Sequence, residues 1–270
     1  MRSVSEAALN AAKEQWNTLL VEKGSGEIDF AHEIFAVASA LRSSVVVSRS
    51  LTDPARVADD RTKLASDIFS GKVSGEVLDL FKGLVRKHWA ADEDLLTALE
   101  EVGVDSILAS AQRNGTLSNV EEELYRAMRT LRDERGLRNA LVAPERSVED
   151  RVALVRQVFS SAAPETVELL ARAVERTDDA TLAQSLSHYG ALAAERDKHL
   201  VATVTAASPI TKEQEERLAT ILKERYGKDV ALHVALDPAI VGGLRIHIGD
   251  DVIDGTLATR IARVRNEISK

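Results

Sequence analysis

The chain has 270 residues, a formal net charge of −8 and no cysteine. This length suits two or three domains. The missing cysteine excludes disulfides and thiol chemistry, and no apolar run of about 18 residues is present to span a membrane. The charge is uneven, because 199–270 holds ten basic and ten acidic side chains and leaves 25 basic and 33 acidic to the first 198 residues. An acidic region of that kind binds phosphate backbones poorly. Residues 1–30 carry Glu6, Glu14, Glu22, Glu27 and Asp29 without an apolar stretch between them, so neither a secretory nor a transit signal is expected. Aromatic residues make up only 4% of the chain, so helices packed through Ala, Leu and Val are expected.

In chain order, helices are predicted over 4–21, 30–47, 54–69, 75–89 and 92–102. Pro54 is read as a first helical position and Gly103 as a break. A second set follows over 104–113, 120–133, 147–159, 164–176 and 180–198. The two sets are related. A shift of 90 residues aligns 33–86 with 123–176 without a gap, pairing Glu33 with Glu123, Leu41 with Leu131, Pro54 with Pro144, Arg61 with Arg151 and Phe69 with Phe159. Each copy reads as an antiparallel bundle whose short connections keep neighbouring helices adjacent.

A smaller module occupies 199–270. Residues 199–207 alternate as a strand, Thr211 and Gln214 fit a capping box, and the helix they start ends near Tyr226. Residues 230–236 alternate again. Next come Asp237-Pro-Ala-Ile-Val-Gly-Gly and the strand of Leu244, Ile246 and Ile248, then a Gly249-Asp250 turn, the short return strand of Val252 and Ile253, and Asp254-Gly255. Thr256 is a candidate cap for a terminal helix with Leu257, Ile261, Val264 and Ile268 on one side. The fold class expected is mainly α with a small α+β C-terminal module: two tandem helix bundles over 1–102 and 103–198, then a short sheet with two helices over 199–270.

Chemistry is scarce. The glycines form no phosphate loop, since neither the Gly242-Gly243 stretch nor Gly71-Lys72-Val73 supplies G-x-x-x-x-G-K-[ST]. The six histidines (His32, His88, His188, His199, His233 and His247) show no metal-ligand spacing, although His233 and His247 could face each other across strands. No nucleophile elbow occurs, and Asp250, Asp251 and Asp254 read as turn and cap residues. Trp16 and Trp89 suit a core or a groove equally well. No catalytic residue, cofactor or metal site is expected.

The ordered string Asp237, Pro238, Gly242, Gly243, Gly249, Asp250, Ile253, Asp254 and Gly255 resembles the C-terminal signature of the F-type ATP synthase delta subunit, or oligomycin-sensitivity-conferring protein, family. Thr256 stands where serine is usual. The opening of the second copy, from Ile107 to Leu124, resembles the first two helices of that family's single bundle. A second bundle placed in front resembles the actinobacterial form. The resemblance implies a non-catalytic stator at the cytoplasmic face of the plasma membrane, present once in a hetero-oligomeric complex that makes ATP from proton flow. It implies that a bundle grips N-terminal helices of α subunits and that the C-terminal module holds C-terminal helices of the b subunit. Ile107, Ala111, Leu182, Leu186 and Tyr189 are the candidate groove for the α-subunit helix, with core filling the even alternative. Arg260, Ile261, Val264 and Ile268 are the candidates for the b subunit. The extra copy is expected to take a second α-subunit helix or to bind the b stalk. A helical nucleic-acid-binding factor is the alternative function, disfavoured by the acidic bundles.

Overall fold

A computed structural model describes residues 2–176, 181–197, 199–226, 229–237, 240, 242–248 and 251–255. Among the described residues, eleven helices are followed by a small mixed module: α1 (Ser3–Lys23), α2 (Glu27–Ser43), α3 (Val45–Thr52), α4 (Ala58–Phe69), α5 (Gly75–Arg86), α6 (Asp92–Arg113), α7 (Leu117–Asp133), α8 (Arg135–Val142), α9 (Val148–Val158), α10 (Pro164–Glu175) and α11 (Leu182–Arg196). Then come β1 (His199–Ala206), α12 (Lys212–Tyr226), β2 (Asp229–Leu236), β3 (Leu244–Ile248) and β4 (Asp251–Asp254). The chain is therefore mainly α with a small α+β module, as its patterning predicts.

Several local expectations differ from what forms. The helix predicted over 30–47 is broken at Ser44, whose extended backbone (φ −136°) ends α2 and whose hydroxyl accepts the N–H of Val47 to start α3. Pro54 opens no helix. It sits in a turn where the Asp53 carboxylate accepts the N–H of Ala55, and α4 begins only at Ala58. The helix α8, the ninety-residue partner of α3, lies where no helix was predicted. Gly103 breaks nothing, because Asp92–Arg113 is one continuous helix.

That continuity decides the architecture. Shifted by 90 residues, α1 falls on α6, and the first turn of α6 falls on that of α11. Helix α6 is thus the last helix of the first bundle and the first helix of the second. The three equivalent helices lie side by side in parallel. Ser5 donates to Asp94 at 2.6 Å, Trp16 Nε1 to Ser106 at 2.7 Å and Asn17 to Asp105 at 3.0 Å, while Tyr189 donates to Glu100 and Arg196 to Asp105, each at 2.8 Å. Each helix meets its own repeat in step, as in stacked repeat proteins.

The repeat extends to side-chain roles. Glu33 accepts the backbone N–H and the hydroxyl of Ser74 at the start of α5, and Glu123 accepts the N–H of Ala163 and the hydroxyl of Thr166 at the start of α10. Both carboxylates thereby satisfy the orphan donors of a helix N-terminus. Arg61 donates to the carbonyls of Arg86 and Lys87 at the end of α5, and its counterpart Arg151 is likewise buried.

Two apolar cores result. One gathers Trp16, Ile34, Leu41, Phe69, Phe81 and Leu99 with their neighbours, and the other gathers Val104, Ile107, Leu124, Leu169, Leu186 and Tyr189. Both tryptophans are core residues, with Trp89 Nε1 donating to the carbonyl of Leu84 at 2.9 Å.

In the C-terminal module the strand order is β2-β1-β3-β4, with β1 parallel to β2 and antiparallel to β3. The predicted capping box forms: Thr211 and Gln214 exchange hydrogen bonds at 2.8 and 3.3 Å. Leu218, Leu222 and Tyr226 of α12 pack on Ala202, Val204, Ile246 and Ile248 of the sheet. His233 and His247 do not pair across strands. Both are in register with Thr203, on opposite sides of β1.

Candidate functional site

The surfaces available for work follow from how α6 is buried. From Val102 to Ala111 every side chain is buried, as required of a helix with a bundle on each side. Buried polar groups on such a helix need partners, and they find them in both copies. Asp105 accepts from Asn17 of α1 and from Arg196 of α11, which also reaches Asn17 at 2.9 Å. Ser110 donates to Glu165 at the start of α10.

The deepest of these sites joins the two bundles. Glu100 accepts from Arg172 Nη2 at 2.7 Å and from the hydroxyl of Tyr189 at 2.8 Å, with Arg176 3.4 Å away. Glu100, Arg172 and Tyr189 are at most 4% exposed. Burial pushes the Glu100 carboxyl up, but its bonds to Arg172 outweigh that and hold it below the usual carboxylate range. Burial lowers the pKa of Arg172 and its bond to Glu100 raises it, with a net rise, while burial and the Glu100 charge raise Tyr189. These signs favour a charged Glu100–Arg172 pair and a protonated Tyr189 hydroxyl that donates to it.

Helix α2 crosses the same junction. Phe35 lies 4.2 Å below the Arg172 guanidinium and against Gly103, where a Cβ would come within 2.2 Å of the Phe35 ring. Alanine at Gly103 would gain about 1 kcal/mol of helix propensity, but it would overlap a ring wedged between two bundles, and the overlap wins. The glycine read from the sequence as a break is instead a close approach.

A cleft of about 600 Å³ opens beside this junction between α2, α9 and α10. On its rim His32 Nε2 meets Glu168 at 2.9 Å. The hydrogen bond to Glu168 raises the pKa of His32 and lowers that of the carboxyl. The His32 contribution is complete below the ordinary histidine pKa and is lost as pH rises through the raised one. The Glu168 contribution is complete above the ordinary carboxylate pKa and is lost as pH falls through the lowered one. In an NMR titration His32 is expected to titrate above about 6.5 and to move back toward it in Glu168→Gln. An unchanged titration in that variant would contradict the contact.

The residues predicted for the α-subunit groove fall together, but not on the surface. Ile107, Ala111, Leu186 and Tyr189 are 0% exposed and Leu182 5%, all in the second core. They pack against one another and offer a partner no open face in this chain.

In the C-terminal signature, Gly242 and Gly243 take φ of +68° and +85°, which glycine adopts without strain. Gly255 donates its N–H to the Leu244 carbonyl at 2.9 Å, and a Cβ there would meet that oxygen at 3.2 Å. Ile253 pairs with Ile246, and Asp254 with Arg245. Asp237 donates its N–H to the Ala206 carbonyl at 2.9 Å. Pro238, Gly249 and Asp250 lie outside the described residues, as do Thr256, Arg260, Ile261, Val264 and Ile268.

A model of the ATP synthase delta (OSCP) subunit family matches residues 104–268. A protein of Beutenbergia cavernae named ATP synthase subunit delta is 44% identical over the whole of both chains. One of Streptomyces griseus with the same name is 36% identical over 97% of each. The chain belongs to the ATP synthase delta (OSCP) subunit family. It is a non-catalytic component of the ATP synthase peripheral stalk. The family match begins at Val104, inside α6, so the second bundle with the C-terminal module corresponds to the family's usual extent. The two relatives align with the first bundle as well. A chain of the Toxoplasma gondii mitochondrial ATP synthase hexamer covers 62% of this chain at 21% identity, with a TM-score of 0.41, too slight a likeness to argue from. Neither relative is named as a nucleic-acid-binding factor.

The sequence left the junction itself unread. Glu100 and Arg172 look like ordinary surface charges on amphipathic helices, and only their coincidence at facing positions of α6 and α10 marks them. The available signal was the stretch 102–111, which carries only Asp105, Ser106 and Ser110 as polar residues and has no cap after Gly103.

Proposed function

We propose that this delta subunit ties the α/β hexamer to the b-subunit stalk at the cytoplasmic face of the bacterial plasma membrane, one copy per complex. It has three working parts, near 1–102, 103–198 and 199–270, the first boundary falling within the shared helix α6. The bundles take N-terminal helices of α subunits. Ile107, Ala111, Leu182, Leu186 and Tyr189 support the receiving surface from beneath. The C-terminal module takes C-terminal helices of the b subunit, with Arg260, Ile261, Val264 and Ile268 as the candidate contacts. The signature Asp237, Pro238, Gly242, Gly243, Gly249, Asp250, Ile253, Asp254 and Gly255 is the sequence mark of that module.

The observation that carries this reading is the pairing of a full-length delta-subunit likeness with a double bundle locked by a buried ion cluster. A part that resists rotor torque must not flex between its attachments, and it needs slowly dissociating contacts more than chemistry. Full-length and 1–198 chains, each mixed with tagged α and b subunits, test it by co-purification. The truncated chain is expected to keep α and lose b. Retention of b by the truncated chain would contradict the assignment of the C-terminal module.

A further inference from the structure

Ninety residues apart, two copies of one helix face meet different surroundings. In the first bundle His32, Phe35, Ala36, Ser39 and Arg42 of α2 line the cleft that α9 and α10 close from the other side. The same positions of α7 hold Glu122, Tyr125, Arg126, Arg129 and Arg132. No third bundle follows to face them, because the chain passes from α11 into β1. Arg126, Arg129 and Arg132 are each more than half exposed.

The outer face of a last repeat must be polar to keep the stack soluble, but solubility asks for no particular cation. Here lysine is absent from 103 to 197, whereas the first bundle carries Lys13, Lys63 and Lys72 among others. Arginine is the cation that binds a carboxylate through two N–H groups at once. Glu122 engages Arg126, and Asp133 lies 4.0 Å from Arg129 and 3.3 Å from Arg132. Two carboxylates thus serve three guanidiniums, each of which keeps N–H groups for a further acceptor. Tyr125, in the place of Phe35, is half-buried beside them, and the charges of Arg129 and Arg132 oppose the rise that burial gives its pKa. Tyrosine and arginine are side chains that concentrate at protein contacts.

We propose that Tyr125, Arg126, Arg129 and Arg132 of α7 form a second contact for the stalk, taking the carboxylate-bearing face of a b-subunit helix. This rests on the reading that the C-terminal module holds those helices. Ser118 in the first turn of α7 donates to Asp197 at the end of α11, just before β1, at 3.2 Å. Helix α7 therefore starts beside the module and leads away from it. A helix leaving the module along α7 meets the three arginines at successive turns within about 21 Å. Carboxylates spaced a turn apart on that helix match them. The strip adds to the module's grip and is too weak alone to hold b through co-purification, so the 1–198 chain still loses it.

The probe is the soluble helical part of the b subunit, fluorescently labelled and titrated into the full-length chain at low and high salt. Arg126→Glu with Arg129→Glu reverses the strip, and Lys63→Glu with Lys72→Glu changes the net charge equally on the first bundle. All four positions are exposed, so matching thermal melts check that both variants fold. At low salt the strip variant is expected to bind about tenfold more weakly than the wild type, with the gap shrinking at high salt. The lysine variant is expected to bind as the wild type does. Equal weakening by both variants would make the effect one of net charge and overturn the assignment, as would unchanged binding by the strip variant. An oligonucleotide whose binding depends on the strip while that of b does not would make the strip a phosphate site and overturn it too. A wild-type chain that does not bind b overturns the reading of the C-terminal module itself, and this inference with it.

Discussion

Replacing Glu100 with alanine is expected to lower the unfolding free energy by about 3–5 kcal/mol, the usual result of removing one partner of a buried ion pair. Arg172 would keep Glu175 on its own helix but lose its bidentate acceptor while 4% exposed, and Tyr189 would lose the acceptor of its hydroxyl. The cost arises from the stranded charge rather than from the net worth of the pair. Glu100→Leu combined with Arg172→Met is accordingly expected to be far less damaging than either change alone. The pH dependence has a definite sign. The Glu100 carboxyl sits below its ordinary range in the folded chain, so its contribution is present above that range and is lost as pH falls through the lowered value. Urea unfolding of the variants checks this. A loss under about 1 kcal/mol for Glu100→Ala would place it among ordinary surface substitutions and contradict the cluster's role.

Cutting the chain inside the shared helix should be more damaging still. A fragment ending at residue 102 lacks Asp105 and Ser106, the acceptors of Asn17 and of the Trp16 indole, and uncovers Ala31 and Phe35. A fragment ending at Arg113 keeps those bonds but bares Val104, Ile107, Leu108 and Ala111, a continuous apolar face that drives association. Neither fragment is expected to be a monomer with a cooperative melt, whereas a chain ending at Asp197 retains both cores and is expected to melt as one unit. Gel filtration and far-UV circular dichroism distinguish these outcomes. A monomeric 1–102 fragment with a sharp transition would show that the bundles fold separately.

Much of the molecule could be read in advance because its signals are local or periodic. The Thr211 capping box, the alternation of β1 and β2 and the hairpin of β3 and β4 each arise from residues a few positions apart. The duplication was legible because Glu33 and Glu123 hold equivalent helix starts at equal spacing, and Arg61 and Arg151 are buried at the same spacing. What escaped depends on contacts between copies. Gly103 carries the usual mark of a helix break, and only the ring of Phe35, 68 residues away, gives it the opposite role. Ile107 and Tyr189 share the apolar spacing of a docking stripe, yet Ile107 lies on the part of α6 buried on every side, and Tyr189 of α11 turns its hydroxyl inward to Glu100. Pro54 misled for a smaller reason: the Asp53 side chain satisfies the backbone of Ala55, and that turn displaced the helix start to Ala58.

The claim on which the rest depends is that the two bundles form a single rigid body hung on α6. The absence of cysteine permits clean double labelling, with one spin label at Lys63 of α4 and one at Gln157 of α9, both exposed. Double electron–electron resonance on the full-length chain should give one narrow distance distribution that Glu100→Ala broadens. A broad or two-peaked distribution in the unaltered chain would contradict the account.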